Sequence, residues 1–142
     1  MGKMILLFIL FLYGFASEEK PFPEQMWNAL QAKDYSAMHA LGNQCVNKFL
    51  TPALEIQINM RKGDKYEYRE AMPLNYFAEC LYLDAEAWRA EKKYETAKKI
   101  YKTVVRLKGA RAGFPGWIWN PSEDAENRLK QMEMEDDESK KP

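Results

Sequence analysis

Few side chains in this 142-residue chain are of a type that does chemistry: one histidine, His39, and two thiols, Cys45 and Cys80. An imidazole becomes a useful acid or base when a carboxylate or a nucleophile is held against it. The residues around His39 in sequence supply neither, so a surface or partly buried ring is expected. The thiols lie far apart and form no Cys-x-x-Cys pair, which argues against a redox dithiol. One histidine with two distant cysteines also falls short of a zinc-finger ligand set. In an oxidising compartment the two thiols can pair; as small apolar residues on helical stripes they can equally stay buried and reduced. Cys45 and Cys80 are therefore a candidate disulfide. The α-carbon separation that decides between the two readings is not written in the sequence.

Carboxylates collect near the end of the chain. Glu123, Asp124 and Glu126 suit the first turn of a helix, where negative charge complements the macrodipole. The acidic run over 133–138 reads as a solvated tail. A glycosidase needs two carboxylates across a cleft with one of them desolvated, and no spacing here marks such a pair. Phosphate-binding glycine loops and nucleophile elbows are absent as well. The expectation is a protein without catalytic residues, cofactor or metal.

Trp117 and Trp119 alternate around Ile118 in a stretch that also holds Gly113, Phe114, Pro115 and Gly116. An exposed indole pair would stack on a sugar ring or another flat ligand. A plug over the open side of the last helical hairpin is the reading we prefer, because such an end would otherwise leave apolar surface in water. Alternation also allows a split, with one indole buried and the other exposed.

These residues must be positioned by helices. The chain is 46% apolar and 30% charged, with seven glycines and seven prolines, which is a globular composition. Twenty-one basic residues balance twenty-one acidic ones. Without a positive surplus there is little affinity to be had from phosphate neutralisation, so nucleic acid is not an expected partner. Residues 1–16 read as a signal peptide: Lys3, an apolar stretch over 4–13, then Gly14-Phe15-Ala16 ahead of Ser17. At 1.5 Å per residue the thirteen apolar residues of 4–16 reach roughly 20 Å, short of a ~30 Å bilayer core. Cleavage, about 126 remaining residues and a periplasmic or secreted location are expected. Contact with the membrane is then only transient, through the signal peptide.

Six helices are expected in a domain over 17–134, followed by a charged disordered tail over 135–142. The first runs from Pro23 to about Lys33-Asp34. The second covers 35–49, with Met38, Leu41, Cys45 and Phe49 on one side. Thr51-Pro52 signals a third start, although Leu54, Ile56, Ile58 and Met60 alternate with polar residues. Pro73 opens the clearest helix, whose stripe is Leu74, Phe77, Ala78, Leu81, Ala85 and Trp88. Tyr94, Ala97, Ile100, Tyr101, Val104 and Leu107 mark the fifth, and Asn120-Pro121-x-Glu123 caps the sixth.

Lys33-Asp34-Tyr35 and Lys92-Lys93-Tyr94 superpose at an offset of 59, together with Cys45-Val46 over Val104-Val105. In the second copy Ala85, Trp88, Tyr94, Ala97, Tyr101 and Val104 resemble the tetratricopeptide repeat. Ala85 and Ala97 would allow close helix approach, and Tyr94 and Tyr101 would fill the groove beside them. Residues 74–132 are similar to segments of exported bacterial repeat proteins, with Gly116-Trp117-Ile118-Trp119 and a proline-capped helix after the hairpin. The resemblance implies an all-α fold, a short solenoid of antiparallel helical hairpins. Its implied role is a scaffold that binds another protein or peptide in the cell envelope, with self-association or a larger complex as a further expectation. Asn28, Gln31, Asn75, Glu79 and Glu86, taken as exposed positions on first helices, are the candidate groove residues. Trp117 and Trp119 carry the alternative, a carbohydrate or cell-wall binding module.

Overall fold

The computed structural model describes residues 20–142, and the expected signal peptide at 1–16 lies outside them. Five helices and one small hairpin make up the described chain: α1 (Phe22–Gln31), α2 (Tyr35–Arg61), α3 (Met72–Ala90), α4 (Tyr94–Val105), β1 (Ala112–Phe114), β2 (Trp117–Trp119) and α5 (Pro121–Ser139). The architecture is mainly helical, as expected. No helix among the described residues is long and apolar enough to cross a membrane.

The count is five instead of six because the expected second and third helices are one. Pro52 sits inside α2, where a proline normally costs about 3 kcal/mol through a lost hydrogen bond and a ring clash. Burial outweighs that cost here. Met38, Gly42, Cys45, Ala53 and Ile56 are all buried along α2, so the stripe continues in helical register through the Thr51-Pro52 signal. The alternation over 54–60 then has a simple meaning. On a helix it places Ile56 inside and leaves Leu54 and Ile58 exposed.

The 59-residue offset appears in the backbone. Among the described residues, Lys33 and Lys92 are the two non-glycine residues with positive φ, at 54° and 61°. After α1, the Lys33 N–H bonds the Leu30 carbonyl and the Asp34 N–H bonds the Ala29 carbonyl. After α3, the Lys92 N–H bonds the Arg89 carbonyl and the Lys93 N–H bonds the Trp88 carbonyl. Both turns are Schellman motifs with lysine in the left-handed position that glycine usually fills, and a tyrosine starts the next helix in each.

Helix α3 is the hub. It packs against α1, α2, α4 and α5 and against β1. Ten of its nineteen residues are buried, more than one stripe can supply, because neighbours cover it on several sides. Ala85 and Ala97 are inaccessible, and Tyr101 is buried beside them. Tyr94 departs from expectation: at 44% exposure it lies on the surface instead of filling a groove.

The glycine- and proline-containing stretch around the two tryptophans is an antiparallel hairpin, with Ala112 opposite Trp119 and Phe114 opposite Trp117. Pro115-Gly116 makes the turn, and Gly116 has the positive φ (95°) that a type II turn needs at that position. Asn120 caps α5 by accepting the Glu123 N–H at 3.4 Å, as its sequence signals. The acidic segment expected to be a disordered tail instead continues α5 to Ser139. Lys98 reaches across from α4 and bonds Asp136 at 2.6 Å, anchoring the helix well beyond the expected boundary.

Candidate functional site

A groove of about 650 Å3 opens between α1, α3, the segment carrying Tyr68, and the hairpin. Its walls are aromatic: Trp27 from α1, Tyr76 from α3, Tyr68, and Phe114 and Trp117 from the hairpin. Asn28 and Gln31, exposed on α1, stand at its edge. Glu79, expected to be exposed, is only 4% accessible because neighbouring elements cover α3 on several sides, and it forms part of the lining from that helix.

The surroundings of Glu79 define the site. The Trp27 indole N–H donates to its Oε1 at 2.9 Å, and the backbone N–H of Gly113 lies on the carboxylate's side and also favours its charged form. Burial raises its pKa above the usual carboxylate value; the two neutral donors pull in the opposite direction but do not cancel the rise. Burial, and next the negative charge of Glu79, also raise the phenols of Tyr68 and Tyr76. The Tyr68 hydroxyl donates to the Gly113 carbonyl at 2.9 Å. Gly113 is thus held through its carbonyl, with its N–H on the side of Glu79. It has φ 105°, and a Cβ there would stand 2.1 Å from the Trp117 carbonyl oxygen, so only glycine fits.

A second cluster surrounds His39. Its Nδ1 lies 2.5 Å from Asp84 and its Nε2 lies 2.5 Å from Glu91, and its ring stacks on Trp88 at 3.8 Å. Burial acts against the charged ring, but the two carboxylates outweigh it and the pKa rises. Both partners are supplied by α3 and its C-cap, out of sight of the residues adjacent to His39. With both nitrogens engaged and one face covered, the imidazole fastens α2 to the end of α3. Among the described residues there is no group of three or more His, Cys, Asp or Glu placed to hold a metal ion.

The other sequence candidates separate cleanly. Asn28, Gln31, Glu79 and Trp117 meet in the groove. Asn75 was expected to be exposed, yet it is 1% accessible. Its amide donates to the Tyr68 carbonyl and accepts the Arg111 N–H at 2.8 Å, so its polar atoms are spent tying two loops to α3. Glu86 also faces inward, accepting from Arg128 Nε at 2.8 Å and from the Tyr101 hydroxyl at 2.6 Å. The two tryptophans split. Trp119 packs on Tyr82 and the main core, while Trp117 is 52% exposed and lies 5.7 Å from Phe114, centroid to centroid. Cys45 and Cys80 are joined in a disulfide that links α2 to α3.

Trp27, Tyr68, Tyr76 and Phe114 were not singled out as site residues by sequence reasoning. For Phe114 the signal was the aromatic density of its own Gly/Pro stretch. Trp27 and Glu79 are 52 positions apart and carry no local sign of meeting. A second apolar feature, Leu50, Leu54 and Ile58, runs along α2 at intervals of four and is exposed. Comparison with protein families, with curated proteins and with solved structures finds no match for this chain.

Proposed function

We propose that this protein is an exported helical interaction module, a short scaffold of tetratricopeptide-like hairpins, that binds an extended segment of another protein. The observation that carries this reading is the groove itself. Its volume lies in the range of formed binding sites, its walls are aromatic, and a few polar groups converge on it. Rigid aromatic side chains give large contact area at small entropic cost, which suits them to anchoring a partner. The exposed amides of Asn28 and Gln31 at the edge are suited to a peptide backbone, which presents donors and acceptors in alternation. The equivalent lysine-containing turns after α1 and α3 support the repeat reading. The apolar run ahead of Ser17 supports export through a cleaved leader.

Selection of a displayed peptide library against the protein tests this. Enriched peptides should bind the parent at least tenfold more tightly than the Trp27→Ala variant. Absence of any enriched peptide would overturn the reading. A carbohydrate-binding role has one specific observation behind it, the exposed Phe114 and Trp117 rings at the hairpin tip. Glycan titration that quenches indole fluorescence in the parent, and not in Trp117→Ala, would favour that role instead.

A further inference from the structure

We propose that the groove selects an arginine side chain in the bound segment, with the guanidinium lodged among Trp27, Tyr68 and Tyr76 against Glu79. This rests on the peptide-binding reading and adds its chemical specificity.

Charge is the first observation. The groove lining contains two carboxylates, Glu24 and Glu79, and no lysine, arginine or histidine. Glu24 is compensated by Lys20 at 3.3 Å, both being exposed. No cation pairs with Glu79 among the described residues. Its two donors, the Trp27 indole and the Gly113 N–H, are neutral. A carboxylate offers about four lone-pair directions, so two donors leave acceptor capacity as well as an uncompensated charge. Buried charges are normally paired, and here the missing cation has a cavity leading to the place it would occupy.

The second observation is the aromatic surround. Cations are attracted to the faces of tryptophan and tyrosine, more strongly where water is excluded. Trp27 meets both needs at once, since its N–H holds the carboxylate while its ring forms part of the wall. Arginine fits better than lysine for three reasons. Its planar head stacks on rings, its fork matches a carboxylate, and it is more weakly hydrated than an ammonium group. A neutral peptide anchor would fill the apolar volume but leave Glu79 unpaired.

The test uses two probes of nearly the same shape, N-acetyl-arginine amide and N-acetyl-citrulline amide, titrated into the full chain. Citrulline keeps the planar head and loses the charge. The arginine probe should bind at least tenfold more tightly and shift the Trp27 indole proton resonance. Glu79→Gln should bring the two probes to within twofold of each other, and Tyr76→Leu should weaken the arginine probe with Glu79 intact. Equal binding of the probes by the parent, or binding of neither, overturns the proposal without need of any variant. An arginine preference that persists in Glu79→Gln overturns it too. If library peptides bind but carry no arginine preference, the selectivity fails while the peptide-binding reading stands. If only the isolated arginine amide binds and no peptide is enriched, the peptide-binding reading fails, and arginine selectivity for a bound segment fails with it.

Discussion

Glu79 and Glu86 are seven residues apart on α3, almost two full turns, and so point to nearly the same side of one helix. Their surroundings could hardly differ more. Glu86 meets Arg128 from α5 and the Tyr101 hydroxyl from α4, so the half of the molecule built on α4 and α5 closes around a compensated charge. Glu79 meets only neutral donors, and the half built on α1 and the hairpin stops short of it, leaving a groove. The comparison teaches that a buried carboxylate becomes a candidate site through what is withheld from it. Residue type and helix face are the same in both cases.

The surroundings of the two carboxylates also hold different cross-links, and the largest expected effect tests that difference. The Cys45–Cys80 bond sits next to Glu79 and closes a sequence separation of 35 residues. Replacing both cysteines with alanine should cost about 3–4 kcal/mol by loop-closure entropy, read from the urea midpoint. The α2–α3 seam beside Glu79 would then be shown to depend on a covalent tie, where the α3–α5 seam at Glu86 uses an ion pair. A loss below about 1 kcal/mol, well under the usual range for a native disulfide, would break that contrast.

Arg128→Met comes next. The Glu86 side chain is 15% accessible and that of Arg128 34%, so the pair lies between an exposed and a fully buried one. Removing the guanidinium should cost about 2–3 kcal/mol, between the values for those limits. Glu86 would then resemble Glu79, with a neutral donor but no cation. Urea unfolding of the variant checks it, and an unchanged midpoint would mean that the Tyr101 hydroxyl alone suffices.

Glu79→Gln should have the smallest effect on stability and the most informative sign. Burial raises the pKa of Glu79 above 4.5 in the folded state, so the folded protein holds that proton more tightly than the unfolded chain. Its contribution is therefore fully present at acid pH and is lost as pH rises from 4.5 through the raised native value. At neutral pH the glutamine variant should match the parent or exceed it by up to about 1 kcal/mol, since it removes an unpaired buried charge. The difference between the two proteins across that pH window isolates Glu79. A variant that is clearly less stable at pH 7 would mean that the carboxylate is paired after all, and would end the contrast with Glu86.

Much of the scaffold could be read locally. Proline at the start of α3, the asparagine cap of α5 and the repeated lysine turns are signals spanning a few residues, and each acts through nearby backbone hydrogen bonds. Pro52 misled because its penalty is local while the compensating burial of Ala53 and Ile56 is tertiary. The reach of α5 to Ser139 was missed for the same reason, since Lys98 lies 38 residues before its partner Asp136. Asn28 and Gln31 were legible as exposed groove candidates because helix order fixes a side roughly; Glu79 reaches the groove as a buried residue and not as the exposed one expected, and Trp117 comes to it from the hairpin, where no helix pattern could place it. Asn75 and Glu86 were misplaced because a modest rotation of α3 turns an exposed position inward.

Helicity, chain reversals and the aromatic stock follow from the order of residues alone, since these depend on periodicity, caps and composition within a dozen residues. Packing between distant segments settles which carboxylate finds a cation, which tryptophan is covered and that the two thiols meet. Those outcomes depend on distances between segments far apart in the chain, and a few ångströms of approach separate a neutralised interior from an open, charged groove.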